Sequence, residues 1–68
     1  MVDLAKALGE KIRSKRRELG IAQEKLALLT EIDRSYVSRI ERGKVNMTVD
    51  KLYKFAEVLN CKAADLLP

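Results

Sequence analysis

The sequence predicts an all-α fold of five helices. Apolar residues recur at helical spacing along most of the chain, and no segment alternates with period two over a useful length. The three glycines and single proline act as punctuation. At 68 residues, 47 % hydrophobic and 35 % charged, the chain can fold around one core but is too short for two. Residues 1–68 are therefore read as one domain.

Leu4, Leu8, Ile12 and Leu19 lie on one stripe of a 3.6-residue period, so residues 3–19 form an amphipathic helix that Gly20 stops. Gly9 sits inside it at some cost. Residues 23–29 make a short second helix with Leu26 and Leu29 inward, and residues 30–32 leave room only for a tight connection. Asp33 is the expected N-cap of a third helix running to Arg42, with Tyr36, Val37 and Ile40 on its apolar side and Gly43 as its stop. After a loop over 44–47, Thr48 caps a fourth helix that reaches Leu59. Asp50 suits its dipole, and Val49, Leu52, Phe55, Ala56 and Leu59 form its buried face. Residues 63–67 close the chain with a last short helix.

Composition removes several chemistries. With one cysteine, Cys61, and no histidine, the chain has no internal disulfide, no zinc site of the usual Cys/His kind and no histidine-based triad. No acid pair, glycine-rich phosphate loop or nucleophile motif appears, so the expectation is a protein that is not an enzyme and uses no cofactor, metal or small-molecule ligand. No stretch is long and apolar enough to span a membrane and no signal-peptide layout opens the chain, which points to a cytoplasmic protein.

The net charge of +4 is unevenly spread. Residues 11–17 hold Lys11, Arg13, Lys15, Arg16 and Arg17 without an acid. Residues 18–33 are net acidic, and residues 34–44 hold Arg34, Arg39, Arg42 and Lys44 against Glu41 alone. Two basic segments suit a polyanion-binding face, although solvated helix faces have the same composition.

Residues 23–42 place two short helices around a turn of about three residues, the layout of a helix-turn-helix. Leu26, Ile32, Val37 and Ile40 supply apolar contacts, and Ala27 is small where the helices cross. Arg34, Ser35, Ser38 and Arg39 fall on one side of the second helix, with donors able to reach base edges in a major groove.

The run from Ile21 to Ala27, the run from Asp33 to Lys44 and the triplet Asn46, Met47, Thr48 resemble the Cro/C1-type (XRE) helix-turn-helix family of phage repressors and bacterial regulators. Within that family the third-helix run and the triplet look most like the controllers of restriction–modification systems. The resemblance spans roughly residues 8–67 and implies a lambda-repressor-like domain that binds double-stranded DNA. It assigns base contacts to Arg34, Ser35 and Arg39, with Ser38 a weaker candidate. It assigns a phosphate contact to Gln23 and other backbone contacts to Tyr36, Arg42, Lys44 and Asn46. It also implies a structural ion pair between Arg16 and Glu41. Members pair through the C-terminal end, where Val45, Met47, Val49 and Leu66 or Leu67 are apolar beyond the needs of one small core.

The implied function is a homodimeric transcription regulator on a pseudo-palindromic operator, governed by its own concentration. A phage-type repressor, an antitoxin of the same fold or a protein-interaction adaptor are the alternatives. Ala22 stands where Ser or Thr usually caps the second helix, Glu31 where Gly usually turns, Met47 where Pro is common and Asn60 where Gly is common. Tyr36 also fits core packing, Lys11, Arg13 and Arg17 a solvated face, and Cys61 plain packing.

Overall fold

The computed structural model describes residues 3–68; Met1 and Val2, where the expected 1–68 domain begins, lie outside the described residues. Helices α1 (Leu4–Glu18), α2 (Gln23–Thr30), α3 (Arg34–Glu41), α4 (Val49–Val58) and α5 (Ala63–Leu66) follow in order, with no strand among the described residues. Three of the starts are fixed by side-chain hydrogen bonds. The Asp3 carboxylate accepts from the Lys6 amide at 3.1 Å, the Thr48 hydroxyl from the Lys51 amide at 3.3 Å, and Asp65 from the Lys62 amide at 3.0 Å. Helix α2 begins after Ala22 with no side-chain cap. Asp33 holds the N-cap position of α3, but its carboxylate makes no capping bond there.

Four helices end by one device. Gly20, Glu31, Gly43 and Asn60 all adopt positive φ, from 56° to 71°. The next amide in each case reaches back five residues: Ile21 to Arg16, Ile32 to Ala27, Lys44 to Arg39 and Cys61 to Ala56. Glu31 keeps the turn that glycine would make easily, at φ 59° and ψ 31°, so the helix-turn-helix geometry survives at a local cost of about 1 kcal/mol.

Ile12, Leu26, Val37, Ile40, Phe55, Leu59 and Leu66 form a buried core with Ala27 and Ala56. Helix α1 packs on α3 and α5, α2 on α3 and α4, and α4 on α5. The α1–α3 crossing is close enough to require Gly9, because a Cβ there would strike the Ile40 carbonyl and stand 3.0 Å from that of Glu41. A Cβ on Gly43 would come within 2.6 Å of Lys6 Cα. The cost of glycine inside α1 is thus offset by backbone contact with α3.

Several inward assignments change. Leu29 is 47 % exposed, because the inward arc of α2 runs through Leu26, Ala27 and Thr30. Thr30 occupies a core position as its hydroxyl donates to the Leu26 carbonyl at 2.7 Å. Leu4 and Leu19 are exposed at the ends of α1, and Val49, 66 % exposed in the first turn of α4, projects beyond the core. Leu66 is corrected in the opposite sense. It is fully buried against the core and presents no surface to a second copy, whereas Leu67 is exposed.

Candidate nucleic-acid interface

Helix α3 has two chemically distinct sides. Val37, Ile40 and Glu41 face the protein and are buried, while Arg34, Ser35 and Arg39 are exposed and Ser38 is half-buried. With Gln23 and Arg42, the four polar residues line one open depression of about 410 Å³. It holds three guanidinium groups, two hydroxyls and one amide, and no carboxylate lines it. Such a donor-rich concavity suits phosphate oxygens and the acceptor atoms of bases.

The start of α2 and the end of α3 are tied by a buried network. Glu41, only 4 % exposed, accepts from Arg16 Nε at 2.7 Å and Arg16 Nη2 at 3.0 Å, a two-pronged pair across the α1–α3 seam. Arg16 Nη1 donates to the Ile21 carbonyl at 2.8 Å, and Gln23 Nε2 donates to Glu41 Oε1 at 3.0 Å. Gln23 therefore spends one amide N–H on the buried carboxylate. Every strong partner of the buried carboxylate is in place, as burial of a charge demands.

The remaining expected contacts are scattered more widely. Arg42 lines the depression but folds back, its Nε donating to the Ser38 carbonyl at 3.3 Å. Tyr36 is half-buried, packed against the core, and lies in a neighbouring depression with Glu31, Asp33, Arg39 and Lys51. Lys44 is exposed in the α3–α4 loop. Asn46 is exposed and lines an apolar groove with Leu4, Leu8, Met47, Leu67 and Pro68. Val45 and Met47 are half-buried against the protein's own core.

Two residues escaped the sequence reading. Tyr53 is 62 % exposed one helical turn after Val49, so the two form an exposed apolar pair on α4. Their i, i+4 spacing was the available signal, obscured by assigning Val49 to the core. Lys51 reaches the ring of Tyr36, and no pattern within α4 announces a contact made across helices.

No group of His, Cys, Asp and Glu among the described residues could hold a metal ion, and no helix there is long and apolar enough to cross a membrane. Cys61 is half-buried and free. Burial raises its thiol pKa above the ordinary value; nearby Lys15 works against that shift and Asp65 adds to it. As pH rises through the ordinary thiol range the unfolded chain ionises first, so whatever stability this group supplies is lost at alkaline pH.

Comparison with known proteins agrees with this geometry. The helix-turn-helix family HTH_3 matches residues 12–66. The control protein C.BamHI of Bacillus amyloliquefaciens is 38 % identical over 60 residues, 87 % of this chain and 74 % of its own. The control protein C.SmaI of Serratia marcescens is 33 % identical over 66 residues, 97 % of this chain and 79 % of its own. The crystal structure of the restriction–modification controller C.AhdI from Aeromonas hydrophila superposes with a TM-score of 0.88 at 35 % identity, covering 91 % of this chain and 94 % of that one. The chain belongs to the Cro/C1-type helix-turn-helix family, HTH_3, and within it is similar to restriction–modification controller proteins.

Proposed function

We propose that this protein is a sequence-specific regulator of transcription that binds double-stranded DNA as a homodimer and controls a restriction–modification operon. The observation that carries the reading is the outer side of α3, where Arg34, Ser35, Ser38 and Arg39 stand together in an open depression free of carboxylates. A helix entering the major groove with those side chains can give bidentate donors to guanine O6 and N7 and hydroxyls to neighbouring edges. Gln23 and Arg42 at the rim, with Lys44 beyond it, seat the helix on phosphates. A two-fold dimer then places two such helices about one turn, ~10 bp, apart on a pseudo-palindromic operator.

The second copy covers the exposed apolar side chains of the C-terminal part. Val49, Tyr53 and Leu67 are the exposed members, Val45 and Met47 contribute at their edges, and Leu66 supports them from within the core. Occupancy of the operator then follows protein concentration through dimerisation, with no cofactor or small ligand involved. On this reading the protein works in the cytoplasm. The similarity to C.BamHI, C.SmaI and C.AhdI supports the operon assignment.

Selection from a random duplex library, followed by sedimentation of the free and bound protein, tests the reading. The expected result is enrichment of a guanine-containing inverted repeat bound by two protomers. Enrichment of no sequence, or a protein that stays monomeric at tens of micromolar and on DNA, contradicts it.

A further inference from the structure

One aromatic ring in the interface region carries two cations from two helices. The Arg39 guanidinium carbon lies 5.4 Å from the centroid of the Tyr36 ring, one turn away on α3, and Lys51 Nζ from α4 lies 4.8 Å from the same centroid. Both lie within the ~6 Å over which a ring face attracts a cation. Glu31 and Asp33 line the same depression, yet the ion pairs among the described residues join Lys15 to Glu18 and Arg16 to Glu41. Arg39 and Lys51 rest on the ring instead.

The support is fixed where Arg39 is not. Tyr36 packs against the core and is half-buried, whereas Arg39 is exposed with a long, rotamer-rich side chain. An arginine free in solvent loses conformational entropy when it engages a base, and a ring that already holds it reduces that loss. Lys51 differs in kind, since an ammonium is a compact point charge suited to a phosphate oxygen rather than to a two-pronged base contact.

We propose that the Tyr36 ring is a positioning surface that aims Arg39 at the bases, and that Lys51, delivered to the same ring by α4, is a further phosphate-contacting cation. The inference rests on the reading of α3 as the DNA-binding helix and adds two claims: Tyr36 acts through its ring rather than its hydroxyl, and α4 contributes to affinity.

The test compares a duplex selected by the wild-type protein from a random library with a scrambled duplex of equal length, over a range of salt concentrations. Tyr36→Leu should lower the ratio of selected to scrambled binding by roughly threefold or more, and Tyr36→Phe should restore it because the ring remains. In an Arg39→Ala background Tyr36→Leu should have no further effect on that ratio, which a merely structural role would not produce. Lys51→Met should weaken both duplexes alike and reduce the slope of log affinity against log salt by about one for each bound protomer, with Lys51→Arg restoring it.

A Tyr36→Phe variant as impaired as Tyr36→Leu, or a salt slope unchanged by Lys51→Met, overturns the inference and leaves the reading of α3 standing. A wild-type protein that distinguishes no duplex overturns both.

Discussion

The two sides of α3 obey opposite rules. On the inner side Val37, Ile40 and Glu41 are buried, Glu41 accepts three hydrogen bonds, and the backbone is pressed so close to α1 that Gly9 cannot carry a Cβ. On the outer side Arg34, Ser35 and Arg39 are exposed, and none of them takes part in the ion pairs among the described residues. Eight residues cannot make a stable helix unaided, so the inner side supplies the rigidity that the outer side needs in order to present donors in a fixed pattern. Inner-side changes should therefore unfold the domain, and outer-side changes should alter binding while leaving the fold intact.

The largest effect is expected at the buried carboxylate. Glu41→Ala strands Arg16 and removes the partner of Gln23, and loss of one member of a buried pair costs about 3–5 kcal/mol. For so small a domain that approaches the whole stability. Thermal melting should show a protein largely unfolded or softened by many degrees; a midpoint within a degree or two of wild type would remove the network from the account.

Next comes Gly9→Ala. Ala is ordinarily the better helix former, so propensity alone predicts a gain of about 1 kcal/mol. The Ile40 carbonyl in the way of the new methyl group predicts a loss of ~1–3 kcal/mol instead. The sign of the change in denaturant midpoint decides between them.

How far these positions were legible in the sequence depends on which kind of force sets them. Helix ends made by local chemistry could be read directly: Thr48 caps through its own side chain, and Gly20, Gly43 and Asn60 take the left-handed turn. Contacts between elements were harder to infer. Thr30 looked polar and Leu29 apolar, yet the hydroxyl of Thr30 is satisfied within its own helix and frees that side chain for the core. Leu66 and Leu67 are adjacent and identical, and only the docking angle of α5 determines that Leu66 is the buried one. The exposure of Arg34, Ser35 and Arg39 was legible, because at helical spacing they fall away from Val37 and Ile40. The bond from Gln23 to Glu41 and the reach of Lys51 to Tyr36 were invisible, since both depend on side chains meeting across helices.

A smaller effect is expected where the two halves of the motif join. Gln23→Ala removes one of three donors to Glu41 and, on the proposed reading, a contact to the DNA backbone, so it should cost about 1–2 kcal/mol of stability and weaken selected and random duplexes alike. A loss confined to the selected duplex would move Gln23 from seating to base reading. Glu31→Gly should act in the opposite direction, relieving the left-handed strain and raising stability by up to about 1 kcal/mol with binding unchanged. A lower melting point would show that the Glu31 side chain, not its backbone, is what the turn requires.

The central claim, that the outer side of α3 reads DNA, is tested most directly by Arg34→Ala and Arg39→Ala in parallel, measuring affinity for the selected duplex and for a scrambled one at the same salt concentration. Each variant should melt close to wild type, because neither side chain is buried. Each should lose about 1–3 kcal/mol of discrimination per half-site, with binding to scrambled DNA comparatively intact. Variants that fold normally and still separate the selected duplex from the scrambled one as well as wild type does would contradict the assignment of α3 as the reading helix.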